Sequence, residues 1–307
     1  MDFLQGVTRR LTSSFLQQPP TGPRLQILSD IHLEVGEQYR TFTFPATAPF
    51  LVLAGDTGYL SHYDGYLAFL EAQVTRFERV FLVLGNHEFY KGTYEGTIEA
   101  AQRLEREPSL GGKVVLLHRR RWDYDGDDES LRGLTVLGCT LWSALPDGSR
   151  EMVQLAVSDF KHIEGWTAQR HHDAHLEEAT WLRGEVERLA GEEGGRRQVL
   201  VVTHHAPSRR GVANPHKTGS PWFDAYSTEL VEGGSWWSSR WPGVRAWVFG
   251  HTHYSVDFVR RGIRVYANQR GYVLPNSTDE TREREQLEGK VERKPHGFDP
   301  AASVQLW

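Results

Sequence analysis

Five short apolar runs, each followed by a polar side chain able to bind a metal ion, dominate the hydrophobic pattern of the chain. The runs are RLQILS, FLVLAG, VFLVLG, QVLVVT and VRAWVFG, and they lead into Asp30, Asp56, Asn86, His204 and His251. Apolar runs of this length between polar residues predict buried strands. The carboxyl ends of strands in an open α/β sheet form the crevice where sites are built, so we expect these five endings to converge.

The rest of the pattern predicts a layered α/β fold. Strands are predicted at 25–29, 50–54, 80–84, 114–117, 134–138 and 199–202, and helices at 64–78, 93–107 and 166–190. Residues 256–260 and 263–267 flank Arg261-Gly262 and predict a β-hairpin. Residues 304–307 are predicted to form a last strand that returns to the sheet. Strands and helices alternate unevenly, which favours a sandwich over a barrel of eight equal units.

The predicted helix at 166–190 carries three histidines and four glutamates. They are His171, His172, His175, Glu177, Glu178, Glu185 and Glu187. An apolar stripe on the same helix predicts that the glutamates face mostly outward. No predicted strand end lies beside the histidines, so we expect a solvated helix face there and no metal cluster.

Residues 1–23 are predicted to form an N-terminal extension before a domain that spans 24–307. Apolar residues of the extension recur at helical spacing with Arg9 and Arg10 opposite them. That pattern fits a short helix packed on the domain or a transit peptide, and we favour the helix and a cytoplasmic location. Three prolines between Gln17 and Pro23 predict a hinge. The charged stretch 276–295 is expected to be a solvated excursion.

Composition excludes several classes of protein. The chain has 307 residues, a formal net charge of -5 and 24% charged residues, so its charge gives no indication of nucleic-acid binding. The single cysteine, Cys139, excludes an internal disulfide, and its apolar neighbours predict a buried thiol. No apolar run approaches the roughly 18 residues that span a membrane.

Two pairs of candidate metal ligands share the same spacing. Asp30 and His32 are separated by one residue, as are His251 and His253. In an extended backbone this spacing places both side chains of a pair on one face. Each pair can therefore bind one cation.

Three single residues complete the candidate ligand set. Asp56 follows Gly55, whose missing side chain allows close approach of the backbone, and its two oxygens can bridge two ions. Asn86 offers an amide oxygen, and His204 adds an imidazole. The set contains two carboxylates, one amide and four imidazoles, enough for two sites that share Asp56. Nitrogen and oxygen ligands without thiolate fit Mn, Fe, Zn, Co or Ni, whereas four histidines disfavour magnesium.

The ordered set D-x-H, G-D, G-N-H-E, H and G-H-x-H resembles the calcineurin-like metallophosphoesterase superfamily over about residues 24–271. The resemblance implies a four-layer α/β/β/α sandwich with two metal ions at the carboxyl ends of the strands. It implies that the first metal is held by Asp30, His32, Asp56 and His253. It implies that the second is held by Asp56, Asn86, His204 and His251. The choice of His204 over His205 follows the order of the motifs.

The resemblance also implies a role for His87, which family members use near the leaving group as a proton donor or phosphate stabiliser. Two neighbouring cations would lower the pKa of a bridging water, and the resulting hydroxide would be the nucleophile. An imidazole has a pKa that suits it to protonate the departing alkoxide. For Glu88 two interpretations stay open, a hydrogen bond that orients an imidazole or a surface carboxylate.

Candidate substrate contacts are Asn86, Tyr90, His216 and Arg270. Arg270 lies in N-Q-R-G-Y, which resembles an N-P-R-G-Y segment of bacterial-type relatives, and it is expected to pair with a phosphate or with a buried carboxylate. The segment 207–243 is a candidate wall or lid, and Lys217 in it is expected in solvent. Its tryptophans (222, 236, 237 and 241) either stack on an aromatic group or hold the loop on the core. The sequence SDFKHI, residues 158–163, resembles a turn-plus-helix element near the site in relatives.

The leading hypothesis is a dinuclear metal-dependent phosphoesterase. Its partner is a phosphoester substrate, and a phosphodiester is favoured because the compact chain shows no docking domain. Alternatives are a phosphomonoesterase or protein phosphatase of the same fold, or a non-catalytic interaction scaffold. The complete ligand set argues against the scaffold. A dinuclear β-lactamase-type hydrolase is disfavoured because its H-x-H-x-D-H cluster is absent from the sequence.

Overall fold

The computed structural model describes residues 23–192, 197–233, 240–273 and 297–305. The predicted N-terminal extension up to residue 22, the charged stretch 276–295 and the tryptophans at 236 and 237 lie outside these residues. The predicted strand at 304–307 falls partly inside them, and a strand is found at Ser303–Gln305.

Two sheets rich in parallel strands form the centre of the fold. The first sheet has the order β11-β1-β2-β3-β4, in which only β11 is antiparallel to its neighbour. Its strands are β1 (Arg24–Leu28), β2 (Phe50–Ala54), β3 (Arg79–Val83), β4 (Val114–Leu116) and β11 (Ser303–Gln305). The second sheet has the order β5-β6-β7-β8-β10-β9, with parallel pairing from β6 to β10. Its strands are β5 (Arg120–Asp123), β6 (Leu134–Cys139), β7 (Gln198–Thr203), β8 (Val244–Val248), β9 (Val256–Arg260) and β10 (Ile263–Ala267).

Helices cover the outer faces of both sheets. The α-helices are α1 (Tyr63–Val74), α2 (Tyr94–Glu105), α3 (Asp147–Ala156), α4 (Asp159–His162) and α5 (Ala168–Gly191). Helices α1 and α2 pack on the first sheet, and α5 packs on the second. The four-layer α/β/β/α sandwich is therefore confirmed. In the described part of the chain no helix is long and apolar enough to cross a membrane.

The strands read as continuous apolar runs because both of their faces are buried. In β2, Phe50 and Val52 face the core between the sheets, whereas Leu51 and Leu53 face the core under the helices. In β7 the alternation repeats, with residues 200 and 202 between the sheets and residues 199 and 201 against α5. A strand with two apolar faces is fixed in the middle of the sandwich, so only its ends reach the site.

The prediction of a solvated histidine face on α5 is wrong. His171 and His175 are completely buried, and burial lowers the pKa of His171 to about 3 and that of His175 to about 4. His175 Nδ1 lies 2.9 Å from the carbonyl oxygen of Leu141, and His171 Nε2 lies 2.9 Å from Ser143 Oγ. The neutral imidazoles therefore bind the segment that follows β6. Because the two buried residues are polar, the hydrophobic pattern of the helix did not mark their positions as buried.

Glu178 is also buried, against the prediction that it faces outward. It accepts a hydrogen bond from the backbone N–H of Leu141, and its other oxygen has no hydrogen-bond partner among the described residues and lies 4.0 Å from His118 Nδ1. Burial, which outweighs this hydrogen bond, raises the pKa of Glu178 to about 8. The folded state therefore binds the proton of this carboxyl more tightly than the unfolded chain does.

Glu178→Gln is expected to stabilise the protein at high pH. In the wild type, the contribution of Glu178 is fully present below pH 4.5 and is lost as the pH rises through about 8, because the buried carboxyl must ionise. Glutamine does not ionise, so the variant should gain about 2 to 4 kcal/mol in unfolding free energy relative to wild type between pH 5 and pH 9. Denaturant unfolding at both pH values measures the difference. Glu177→Gln on the exposed neighbouring position should show no such trend.

Candidate active site

Five of the seven ligand candidates have a left-handed backbone conformation. Positive φ angles occur at Asp30 (53°), His32 (47°), Asp56 (52°), His251 (71°) and His253 (52°). The expectation that Asp30 and His32 sit on an extended backbone is therefore wrong, since β1 ends before them. Non-glycine residues adopt this conformation only where the surroundings impose it. Here the backbone N–H groups of Asp30 and His32 donate to the carbonyls of Gly55 and Asp56, both at 3.0 Å.

Two glycines let the loops approach each other closely. A Cβ atom on Gly55 would lie 2.3 Å from His204 Nδ1, and one on Gly85 would lie 2.3 Å from Asp56 Oδ1. Gly55 also has a φ of +88°, which side-chain-bearing residues rarely adopt. These positions admit only glycine, so the G-D and G-N motifs reflect packing as well as chemistry.

One group of candidate ligands forms where the first sheet meets the G-H-x-H loop. Ligand atoms of Asp30, His32, Asp56 and His253 all lie within 4.8 Å of one another. His32 Nε2 is 3.0 Å from His253 Nε2 and 3.8 Å from Asp56 Oδ2, and His253 Nε2 is 3.4 Å from Asp30 Oδ1. The group matches the set expected for the first metal.

A second group contains Asp56, His204 and His251, whose ligand atoms also lie within 4.8 Å of one another. His204 Nε2 is 3.3 Å from Asp56 Oδ1, 3.2 Å from His251 Nδ1 and 3.1 Å from Asn86 Oδ1. Asn86 therefore joins this group as expected. Asp56 belongs to both groups, one carboxylate oxygen facing each.

The neighbouring histidines His204 and His205 have different environments. His204 Nδ1 lies 2.9 Å from the carbonyl oxygen of Ala54, to which it donates, and this leaves Nε2 for the second group. The ring of His205 instead stacks on His251 with a centroid distance of 4.0 Å, and Tyr226 stacks on His251 at 4.7 Å. His205 is thus placed to fix the ring of His251, and it belongs to neither ligand group.

The donor atoms of the second group fit a cation. With Nδ1 donating to Ala54, the Nε2 of a neutral His204 has a lone pair that faces Asp56 Oδ1 and Asn86 Oδ1, and a cation between these three atoms would bind them all. Burial lowers the pKa of His204, but the charge of Asp56 outweighs it and raises the pKa to about 9. Burial likewise favours the neutral form of Asp56, yet the charge of His204 holds the pKa of Asp56 well below its usual range. The surroundings therefore stabilise positive charge next to an ionised carboxylate.

Asp159 and Tyr90 orient the amide of Asn86. Asn86 Nδ2 donates to Asp159 Oδ1 at 2.8 Å and to Tyr90 Oη at 3.3 Å, and Tyr90 Oη donates to Asp159 Oδ1 at 2.7 Å. The amide oxygen is thereby left to face His204. Sequence reasoning gave Asp159 no role, because a carboxylate outside the metal motifs carries no signal of its own.

Asp159→Leu is expected to weaken binding of one metal ion by about 10- to 100-fold, because the Asn86 amide loses its orienting partner. Asp159→Asn should have a smaller effect, since its amide oxygen still accepts the bond from Asn86. Metal content after dialysis against a graded series of chelator concentrations measures both variants. Equal retention of two ions by the wild type and the leucine variant would contradict this role.

Glu34, which sequence reasoning missed, bridges two histidines. Its Oε1 lies 3.1 Å from His32 Nδ1 and 2.8 Å from His87 Nδ1. Burial alone raises the pKa of Glu34, but the hydrogen bonds from both imidazoles lower it to about 2. These three side chains also form a group that could hold a metal. Because Glu34 faces the Nδ1 atom of His32, it orients the ring whose Nε2 points into the first group. In the sequence, this role of Glu34 was indicated only by its position two residues after His32.

His87 lies at the edge of the two groups. Its backbone N–H donates to Asp56 Oδ1 at 2.9 Å, and its Nε2 lies 3.0 Å from Tyr272 Oη. Burial lowers its pKa, but the charges of Asp56 and Glu34 outweigh that and raise the pKa to about 9. The side chain is 8% exposed and lines the pocket described below, and Nε2 is the ring nitrogen that Glu34 does not bind.

Glu88 occupies neither of its two expected environments. It is fully buried, and its carboxylate accepts hydrogen bonds from backbone N–H groups instead of from an imidazole. The donors, at 2.7 to 3.3 Å, are the N–H groups of Gly85, Asp56, Thr57 and Gly58 and the hydroxyl of Tyr66. Glu88 therefore joins the loop after β2 to the loop after β3, which carry Asp56 and Asn86, and it is not among the residues that line the pocket described below.

The two ligand groups open into a pocket of about 450 Å³. Of the predicted substrate contacts, Asn86, Tyr90 and His216 line it, and so does Lys217. Arg270 does not line it. Its guanidinium donates to the carbonyl of Ile31 and to Gln38 Oε1, both at 2.9 Å, and lies 4.4 Å from the ring centroid of Phe42. The structure thus gives Arg270 a packing role near β1, with partners other than those expected.

The Trp-rich segment divides between pocket and core. Trp222 lines the pocket and is 42% exposed. Trp241 is buried, donates from Nε1 to the carbonyl of Leu230 at 2.9 Å and packs edge-on against Trp247. Trp241 therefore holds the segment on the core, whereas stacking of Trp222 on an aromatic group stays a prediction.

Comparison with known proteins relates this geometry to other chains. The calcineurin-like phosphoesterase family matches residues 23–255. An uncharacterized protein, L509, of Acanthamoeba polyphaga mimivirus is 21% identical over 264 residues, which cover 81% of this chain and 91% of that protein. Among solved structures, the phosphopantetheinyl hydrolase PptH from Mycobacterium tuberculosis superposes with a TM-score of 0.59 at 18% identity, covering 89% of this chain and 95% of the other. At 18% identity, the similarity to PptH is a similarity of fold.

Proposed function

Because this chain belongs to the calcineurin-like phosphoesterase family, and is therefore a hydrolase of a metal-dependent family, we propose that it hydrolyses phosphodiesters with two metal ions. The ions would lie in the two ligand groups of the candidate active site. Manganese, iron or zinc suits the imidazole and carboxylate donors of these groups.

The position of Asp56 carries the proposal. Its Oδ2 is 3.8 Å from His32 Nε2 in one group, and its Oδ1 is 3.3 Å from His204 Nε2 in the other. A carboxylate that belongs to both groups would hold two cations side by side, the arrangement that phosphoester hydrolases use. Bound cations would supply an activated water and neutralise the charge of the phosphoryl oxygens.

The chain's own residues would position the ester and provide a proton. Glu34 anchors His87 through Nδ1, so Nε2 is the nitrogen of this pocket-lining residue that would be left for a substrate. We propose that this nitrogen donates a proton to the departing oxygen, as an imidazolium can at neutral pH. The hydroxyl of Tyr272, 3.0 Å from the same nitrogen, would give way to the ester oxygen or orient the ring.

The preference for a diester rests on the pocket. It extends from the ligand groups to the segment 213–226, and this extension has room for organic groups on the phosphorus. The fold-level similarity to a phosphopantetheinyl hydrolase adds one specific ester to the candidates. Phosphopantetheinyl esters are therefore included among the substrates to be tested.

The test is a substrate panel with defined metal loading. Protein loaded with manganese, iron or zinc is assayed on bis-p-nitrophenyl phosphate, p-nitrophenyl phosphate, cyclic nucleotides and a phosphopantetheinyl ester. We expect metal-dependent turnover, with higher kcat/KM on a diester than on the monoester. Activity confined to the monoester would reverse the diester assignment. No bound metal after purification and no turnover with any added metal would favour the interaction scaffold instead.

A further inference from the structure

The pocket is larger than the phosphoryl group alone requires, and its two walls differ in character. One wall carries the ligand candidates together with His87. A second wall is formed by the segment 213–226 and includes Trp222 and Phe223, and Tyr226 of the same segment reaches the ligand candidates, where it stacks on His251. A substrate bound through its phosphoryl group would therefore place its organic portion against the second wall.

Lys217 is the one lysine or arginine among the described residues that line the pocket. It is exposed, and within the described part of the chain its ammonium group has no hydrogen-bond or ion-pair partner. Two arginines that precede the segment 213–226 are already paired, Arg209 with Asp224 and Arg210 with Glu232. Lys217 therefore keeps its charge available to a ligand.

The backbone of the segment holds Lys217 and His216 at the pocket. The side chain of Asn214 accepts a hydrogen bond from the His216 N–H at 3.0 Å, and the Asn214 carbonyl accepts one from the Lys217 N–H at 2.8 Å. The Lys217 carbonyl in turn accepts from the Ser220 N–H at 3.1 Å. Two consecutive turns thus present the neighbouring side chains to the same space.

Aromatic side chains lie beside this cationic position. Trp222 is 42% exposed although it is a large apolar residue, and the buried Phe223 and Tyr226 complete this part of the pocket. An exposed indole at a pocket wall offers a flat surface to a planar or apolar group. A cation next to such a surface favours a ligand that combines an apolar portion with a negative charge.

We infer that Lys217, with His216 and Trp222, forms a subsite for a second anionic group on the organic portion of the substrate, a carboxylate or a second phosphate. The inference rests on the proposed function, since the first anionic group is the phosphoryl group at the ligand candidates. The substrate class is therefore a phosphoester with two separated negative groups joined by an apolar or planar portion.

The first experiment compares three diesters that differ in one para substituent. They are p-nitrophenyl phenyl phosphate, which carries only the phosphodiester charge, and its counterparts with an added carboxylate or phosphonate at the para position of the phenyl ring. Metal-loaded wild type should hydrolyse the two substituted esters with a KM about fivefold lower than that of the unsubstituted ester, the size of a partly exposed charge interaction. Which of the two is preferred distinguishes a carboxylate from a phosphate as the natural group.

Lys217→Gln should remove this difference by raising KM for the two substituted esters, with kcat and all values for the unsubstituted ester unchanged. Lys217→Arg should preserve the difference, because it keeps the charge. Lys161→Gln, at an exposed lysine that does not line the pocket, is the matched control and should behave as wild type. Equal KM values for the three esters in the wild type, or an equal change for the unsubstituted ester in Lys217→Gln, would overturn the subsite.

A binding measurement separates failure of the subsite from failure of the proposed function. Calorimetry should give a dissociation constant for 4-phosphonobenzoate about fivefold below that for phenylphosphonate in the wild type and equal constants in Lys217→Gln. Turnover without this difference in binding refutes the subsite alone. Absence of turnover on all three esters refutes the proposed function, and the subsite with it as a substrate site.

Discussion

Asp56→Asn is expected to lower kcat on every phosphoester by about a thousandfold or more, because several kcal/mol of metal-dependent stabilisation would be lost. Asparagine keeps the shape of the side chain but has one acceptor oxygen and no charge. The charge of His204 holds the pKa of Asp56 well below its usual range despite burial, so the wild-type group is an ionised carboxylate. Because it is the only side chain common to both ligand groups outlined here, its loss should also reduce the metal content from two ions.

The measurements are initial rates, metal content and thermal unfolding on the same preparations. Asp127→Asn, at an exposed aspartate far from the motifs in sequence, serves as the control and should retain full activity. A folded Asp56→Asn variant that holds two metal ions and turns over at the wild-type rate would refute the shared-ligand arrangement.

Glu88→Ala is expected to lower the unfolding free energy by about 3 to 5 kcal/mol, because it leaves buried donors without an acceptor. Four backbone N–H groups and the Tyr66 hydroxyl donate to this one carboxylate. The same change should lower metal affinity, since the loops that carry Asp56 and Asn86 lose the group that joins them. Denaturant unfolding of the metal-free protein measures the first effect without the second.

Two further variants make the interpretation specific. Glu88→Gln keeps one acceptor oxygen but turns an amide toward backbone donors, so it should fall between wild type and alanine. Glu99→Ala removes an exposed glutamate of α2 and should change the unfolding free energy by less than about 0.5 kcal/mol. A Glu88→Ala variant as stable as Glu99→Ala would show that the carboxylate is not required by the loops.

The sequence was most informative where burial on two faces left a continuous apolar run. The strands β2 and β7 were recognised for this reason, and the polar residue that closes each run marked the edge of the sheet. The hairpin was predicted because Arg261-Gly262 separates two strand-like stretches. The antiparallel pairing of β9 and β10 confirms it. Asp30 and Asp56 lie close together because they follow the neighbouring parallel strands β1 and β2, whereas His251 follows β8 of the second sheet and reaches them from across the core.

The residues that support the ligands were harder to find from the sequence. Asp159 and Glu34 act through hydrogen bonds to Asn86 and to His32, and such pairings depend on contacts between distant segments. His171 and Glu178 were assigned to solvent because polar residues on a helix usually face water. Both are buried against the segment after β6, where His171 bonds to Ser143 and Glu178 accepts from the Leu141 N–H. The periodicity of a sequence does not reveal such hydrogen bonds.

The left-handed backbone at five ligand positions has a consequence for the metal-free protein. Each such residue is less favourable by roughly 1 to 3 kcal/mol than an ordinary conformation, so the fold as a whole must maintain it. The interloop hydrogen bonds and the Glu88 carboxylate contribute to that constraint through groups of the protein itself. We therefore expect chelation followed by reloading to proceed reversibly without refolding of the chain.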